Sequence, residues 1–231
     1  MIVTLEVAGT TPMNAYVAMP KGEGKFPAVM VFQEAFGVNQ HIREITDRVA
    51  ELGYVAIAPE LFHRQAPAGF EVGYNEFQKI MPIMQTLTPE TLLEDVTVTY
   101  NWLKANPSVA ADKIGCIGFC LGGRVALLTN SALPVKAAIS FYGGGAHTMA
   151  DRVPSLHAPM LFFWGGKDQH IKREHIQTLN DALDAAGKPY ICSVISYADH
   201  GFNCDARASY HPEASKEAWA MSVTFLKNKL A

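Results

Sequence analysis

The segment Gly118-Phe119-Cys120-Leu121-Gly122, followed at once by Gly123, stands between two runs of opposite character. Before it, Lys113-Ile114-Gly115-Cys116-Ile117 reads as a buried strand. After it, Arg124-Val125-Ala126-Leu127-Leu128 reads as a helix. The pattern has the G-x-nucleophile-x-G form of a sharp turn that lifts a reactive side chain out of a strand end, with cysteine as the nucleophile. Such a turn strains the backbone of its central residue, and neighbours without a Cβ let strand and helix approach. A strand that delivers directly into a helix is an α/β feature, so this segment limits the chain to that class.

The rest of the chain repeats the alternation. Strands are expected at Ile2–Val7, Ala15–Met19, Ala28–Phe32, Val55–Ala58, Lys113–Ile117, Val135–Phe141, Met160–Trp164 and Tyr190–Ile195. Ala28–Phe32 is apolar throughout, as a central parallel strand covered on both faces requires. The first two candidates have polar flanks and suit an antiparallel edge. Helices are expected at Gln40–Leu52, within Gly69–Met84, from Thr88-Pro89-Glu90 to Asn106-Pro107, and at Ile171–Ala186. A last helix carries Ala214, Ala218, Met221 and Phe225 as its apolar stripe. The expected fold is a mostly parallel, doubly wound sheet of about eight strands with helices on both faces. Residues 1–231 read as a single domain, with no repeat or linker. His63–Gly73 reads as a loop over the C-terminal edge of the sheet.

A formal charge of −3 gives no case for binding nucleic acid or an anionic membrane. The first residues, Met1-Ile2-Val3-Thr4-Leu5-Glu6, lack the basic and apolar regions of a signal peptide, and no apolar run reaches membrane-spanning length. The expected location is the cytoplasm. None of the four cysteines, Cys116, Cys120, Cys192 and Cys204, falls in a C-x-x-C pair, so neither a metal nor a redox disulfide is expected. Cys116 and Cys192 read as inert core residues, leaving Cys120 as a free thiol.

A nucleophilic cysteine needs a base and a group that orients the base. Gly165-Gly166-Lys167-Asp168 follows the strand Met160–Trp164, and Ala198-Asp199-His200-Gly201-Phe202 follows the last strand. Cys120, Asp168 and His200 therefore occur in the order nucleophile, acid, histidine, each after a strand. The N–H of Leu121 is a candidate oxyanion donor, and the N–H of Ala35, in Gln33-Glu34-Ala35-Phe36-Gly37-Val38, is the second.

Q-E-A-F-G-V, G-F-C-L-G-G, F-Y-G-G, W-G-G-K-D and D-H-G-F, in that order, resemble the dienelactone hydrolase family, a cysteine-based branch of the α/β-hydrolase fold. The resemblance runs from the first strand to the last helix. It implies Cys120 as nucleophile, His200 as base and then acid, Asp168 as orienter, and Glu34 as the acid that gates the resting thiol. It also implies that Tyr142 and Phe36 line the substrate pocket and that Arg207 matches one of two arginines that grip a lactone carboxylate. No arginine occurs between Arg64 and Arg124; that stretch carries Tyr74, Phe77, Lys79, Met81 and Met84, which suits larger or neutral substrates.

The implied activity is cofactor-free hydrolysis of a small-molecule ester or lactone through a thioester acyl-enzyme, by a monomer or homodimer. Two alternatives are a promiscuous hydrolase that also takes neutral phosphotriesters and a non-catalytic reactive-thiol protein. His63 and His147 are expected in loops near the site; the other histidines default to surface or loop roles.

Overall fold

The computed structural model describes residues 1–231, in two compact units, Met1–Gly115 and Cys116–Ala231. Its sheet has eight strands and is mostly parallel, as expected.

The N-terminal unit holds β1 (Ile2–Leu5), β2 (Met13–Ala18), β3 (Phe26–Phe32) and β4 (Val55–Pro59), side by side in the order β1-β2-β4-β3. β1 and β2 form the antiparallel edge, and β3 runs parallel to β4 with Ala28 opposite Val55. Every residue of β4 and the last five of β3 are buried, which requires cover on both faces. α1 (Gln40–Glu51) and α3 (Pro89–Ala105) both pack on β4. α1 starts where the Asn39 side chain accepts from the Ile42 N–H, and it buries Ile42, Ile45 and Val49 at helical spacing. α3 starts, as expected, at Thr88, which forms a reciprocal capping box with Thr91. The helix expected within Gly69–Met84 is α2 (Phe77–Thr86); it begins late because Glu71 is bridged to Gly37 and Gly73–Glu76 forms a turn. Tyr74 and Met84 pack against Ala35, Phe36 and Ile80, whereas Phe77 and Met81 are exposed.

His63 does not offer itself to a ligand. Its ring is buried, with Nδ1 2.8 Å from the Thr11 carbonyl and Nε2 3.0 Å from Asp95 Oδ1. Arg64 Nη1 donates to both Asp95 oxygens, at 2.7 and 2.8 Å. The loop after β4 is thus tied to α3 through a satisfied polar cluster, the condition for burying charge.

The C-terminal unit begins inside β5 (Val109–Phe119) and adds β6 (Ala138–Phe141), β7 (Met160–Gly165) and β8 (Tyr190–Ile195), all parallel and in sequence order. β6 and β7 are buried throughout. Phe119, Phe141 and Phe163 stack across β5, β6 and β7 with centroids 4.8 and 4.6 Å apart, each ring contributing about 1.5–3 kcal/mol of burial. The helices are α4 (Leu121–Ala132), α5 (Arg173–Ala185) and α6 (Pro212–Leu230), with a 3-10 helix at Ala146–Ser155. That short helix was not expected: its sequence contains Pro154 and a kink at Met149, and it has no long apolar period. In α6 the buried stripe is Ala214, Ala218, Ser222 and Phe225; Met221 instead faces solvent. Cys116 is a core residue whose thiol is pushed far up by burial, but Cys192, on β8, is only half-buried. No helix is long and apolar enough to cross a membrane.

Candidate active site

Cys120 sits between β5 and α4 with φ 53° and ψ −112°, a conformation that side-chain-bearing residues rarely adopt. The flanking glycines allow it. A Cβ on Gly118 would lie 1.9 Å from the Gly122 carbonyl oxygen, so no other residue fits there. The turn leaves the Cys120 side chain half-buried, directly before the first N–H groups of α4. Those groups, Leu121 first among them, carry the positive end of the helix dipole and favour negative charge nearby.

Asp168 lies in the loop after β7. Its Oδ1 accepts from the N–H groups of His170 at 2.7 Å and Ile171 at 3.1 Å. That pair of bonds fixes the carboxylate, so Oδ2 points at His200 Nδ1, 2.7 Å away. The loops that carry the two residues approach closely because Gly166 has no side chain: a Cβ there would lie 2.5 Å from Ser196 Cα. The other ring nitrogen, His200 Nε2, lies 3.2 Å from Cys120 Sγ. One imidazole therefore bridges the carboxylate and the thiol.

The electrostatics follow. Burial alone would lower the His200 pKa, but its hydrogen bonds to Asp168 and Cys120, with their charges, prevail and raise it from 6.5 to about 10. Burial likewise pushes Asp168 up. Its hydrogen bond and charge interaction with His200, and the two backbone N–H bonds, leave its carboxyl below the ordinary value.

Tyr142 also has a positive φ, 38°, and its fully buried ring lies 5.1 Å from the His200 ring and 5.3 Å from Phe202. It backs the imidazole. Arg207 lies over Gly201, the residue after His200, where an added Cβ would be 2.4 Å from its Nη1. His147, expected near the site, stacks on His175 with centroids 3.8 Å apart. Two neighbours of the cysteine–histidine pair were not singled out by motif. His170 meets the His200 ring edge-on at 5.7 Å. Arg124 follows Cys120 by four residues, in the first turn of α4, and the charge of Cys120 reaches its guanidinium.

Glu34, Ala35 and Phe36 belong to the N-terminal unit, just after β3, and all three are buried. Gln33 holds this segment: its Oε1 accepts from the Leu61 N–H at 3.1 Å and its Nε2 donates to the Glu34 carbonyl at 3.2 Å. Phe36 packs edge-on against Tyr74 at 4.7 Å.

Comparison with known proteins gives a consistent result. A protein of Synechocystis sp. provisionally named carboxymethylenebutenolidase is 37% identical over 225 residues, covering 93% of this chain and 89% of that protein. A Yersinia pestis protein with the same provisional name is 38% identical over 217 residues, covering 90% and 80%. A crystal structure provisionally named dienelactone hydrolase, from Klebsiella pneumoniae subsp. pneumoniae, superposes with a TM-score of 0.87 at 33% identity over 98% of both chains. A dienelactone hydrolase-like promiscuous phosphotriesterase from metagenomic libraries reaches 0.88 at 22% identity, over 100% of this chain and 99% of its own, a likeness of fold. The architecture is the α/β-hydrolase fold of these structures. The family description "dienelactone hydrolase family" matches residues 13–230. That match begins at the first residue of β2 and ends with α6, so the likeness is one of whole architecture rather than of a single motif, and the chain belongs to the dienelactone hydrolase family.

Proposed function

We propose that the chain hydrolyses small carboxylic esters or lactones through Cys120, with His200 as its base and Asp168 as the group that orients His200. The observation that carries this reading is the His200 ring, 2.7 Å from Asp168 on one nitrogen and 3.2 Å from Cys120 sulfur on the other. Both distances lie within reach for proton transfer.

In this reading His200 Nε2 holds the proton of the Cys120 thiol, its raised pKa favouring the imidazolium, as Cys120 sulfur attacks the acyl carbon. Charge develops on the carbonyl oxygen, and the Leu121 N–H at the start of α4 donates to it. The tetrahedral intermediate collapses as His200 protonates the leaving alkoxide, and a thioester remains on Cys120. Water, deprotonated by His200, then attacks that thioester; the acid product leaves, and Cys120 and His200 return to their starting state. Asp168 keeps its negative charge throughout and stabilises the imidazolium. For a lactone the leaving alkoxide stays tethered to the acyl group, so ring opening and thioester formation are one event. The family resemblance alone adds the Ala35 N–H as second oxyanion donor, Glu34 as the acid that gates the thiol, and Tyr142, Phe36 and Arg207 as substrate contacts. The relatives named carboxymethylenebutenolidase act, by that name, on a lactone bearing a carboxymethylene group. A reducing compartment such as the cytoplasm suits four free cysteines, one of them this thiol.

The test is Cys120→Ala with 4-nitrophenyl acetate as substrate. Hydrolysis is expected to fall to the uncatalysed rate, and brief reaction of the native protein is expected to leave an acetyl mass on Cys120 that hydroxylamine removes. Near-full activity in Cys120→Ala would show the reading to be wrong.

A further inference from the structure

We infer that Arg124 determines specificity at this site by holding a carboxylate carried by the substrate beside Cys120, an inference that rests on the hydrolase reading above. Arg124 lies in the first turn of α4, the helix that Cys120 caps, and the charge of Cys120 reaches its guanidinium. Its side chain is half-buried yet makes neither a hydrogen bond nor an ion pair. The contrast within the chain is direct: Arg64 is held by Glu94 and Asp95, and Arg43 by Glu71. A guanidinium withdrawn from water without an anion is costly, so a site that keeps one open is matched to an anion that arrives from outside.

Glycine backbone borders the guanidinium. Arg124 Nη1 and Cδ would lie 3.2 and 3.4 Å from a Cβ on Gly145, so the guanidinium rests on bare backbone. At the neighbouring Gly144 a Cβ would meet nothing within 4 Å. The charge of Cys120 also reaches this guanidinium: burial draws Arg124 basicity down and Cys120 opposes that. A planar fork of N–H donors matches a carboxylate in a bidentate way that a lysine does not. An ester or lactone with a free carboxylate would thereby be seated next to the sulfur that attacks it. Arg124 thus supplies, from α4, a cationic group that the arginine-free stretch after Arg64 lacks.

The experiment uses two matched pairs of probes on the native protein, Arg124→Gln and Arg124→Lys. The first pair is iodoacetate and iodoacetamide, which alkylate Cys120 with and without a carboxylate. The second is the 4-nitrophenyl monoester of succinic acid and 4-nitrophenyl butyrate. In each pair the anionic-to-neutral rate ratio is expected to fall about 10-fold or more in Arg124→Gln, with Arg124→Lys between. A change under about 2-fold, or a parallel loss with both members of a pair, overturns the assignment; the parallel loss would mean that Arg124 serves the thiol instead. A measurement without any variant runs beside these. Succinate is expected to protect native Cys120 from iodoacetamide, and no protection at tens of millimolar overturns the assignment. The two readings fail separately. Cys120-dependent turnover without charge preference removes Arg124 from its role alone. Charge-selective alkylation without turnover removes the hydrolase reading and leaves the anion site standing.

Discussion

Asp168 Oδ2 and His200 Nδ1 stand 2.7 Å apart, with the carboxylate side chain wholly buried and the imidazole side chain 12% exposed. The second carboxylate oxygen is saturated by two backbone N–H groups, so the contact has one geometry. An anion fixed in this way does two things for the ring: it selects the tautomer that leaves Nε2 toward Cys120, and it stabilises the charged form.

Asp168→Asn should separate these effects from folding. The amide keeps the shape but loses the charge and favours the wrong tautomer. We expect kcat/KM for an activated aryl ester to fall about 10³-fold or more, with little change in the far-UV spectrum. A loss below about 10-fold would show that the pair does not orient the base.

Stability should depend on pH through the same histidine. Its folded-state pKa, about 10, lies above the ordinary value of 6.5, so the native protein holds a proton that the unfolded chain releases first. That contribution is complete below pH 6.5 and is lost as pH rises toward 10. Asp168, held below its ordinary value, acts in the opposite direction: its contribution is present above the ordinary carboxylate range and is lost as pH falls through the lowered value. Thermal midpoints should decline from neutral pH to pH 10, and His200→Gln should flatten that decline. An equally steep decline in the variant would assign it to other groups.

Cys120→Gly should stabilise the protein while removing its proposed chemistry. Glycine adopts the positive φ of 53° without steric cost, and relief of strain outweighs the extra freedom of the unfolded chain. We expect a gain of about 1 kcal/mol in urea unfolding. A Cys120→Gly variant no more stable than Cys120→Ala, which loses the same contact with His200 but keeps the positive φ, would mean that the elbow is not strained.

Asp95→Ala should be costly for a different reason. It removes the shared acceptor of His63 and Arg64 in a buried cluster. The expected loss is about 1–3 kcal/mol, since buried His63 loses its partner while Arg64 keeps Glu94. Urea titration tests it, and a loss below about 1 kcal/mol would show that water replaces the carboxylate.

Much of this protein was determined by local pattern. Apolar runs without polar interruption specify strands that must be covered on both faces, which is why β3, β4, β6 and β7 fall where the runs do. Thr88-Pro89 sets the start of α3 because a cap is a contact among near neighbours in the chain. Gly118 is legible for a related reason: the clash it avoids is with Gly122, four residues away. The order Cys120, Asp168, His200 was likewise open to reading, since each follows a strand. What the sequence by itself could not decide is anything set by groups far apart along the chain. His63 became a buried partner of Asp95, 32 residues on, rather than a ligand-facing loop residue. Cys192 fell on a half-exposed strand rather than in the core, and Met221 turned outward, because burial depends on which elements pack alongside. Arg124 was visible as a charge, but only the fold leaves it without a counter-ion on the helix that Cys120 begins. Local sterics and capping act over a few residues and are written in order along the chain. Burial, pairing and charge compensation act through space, and the tertiary structure alone assigns them.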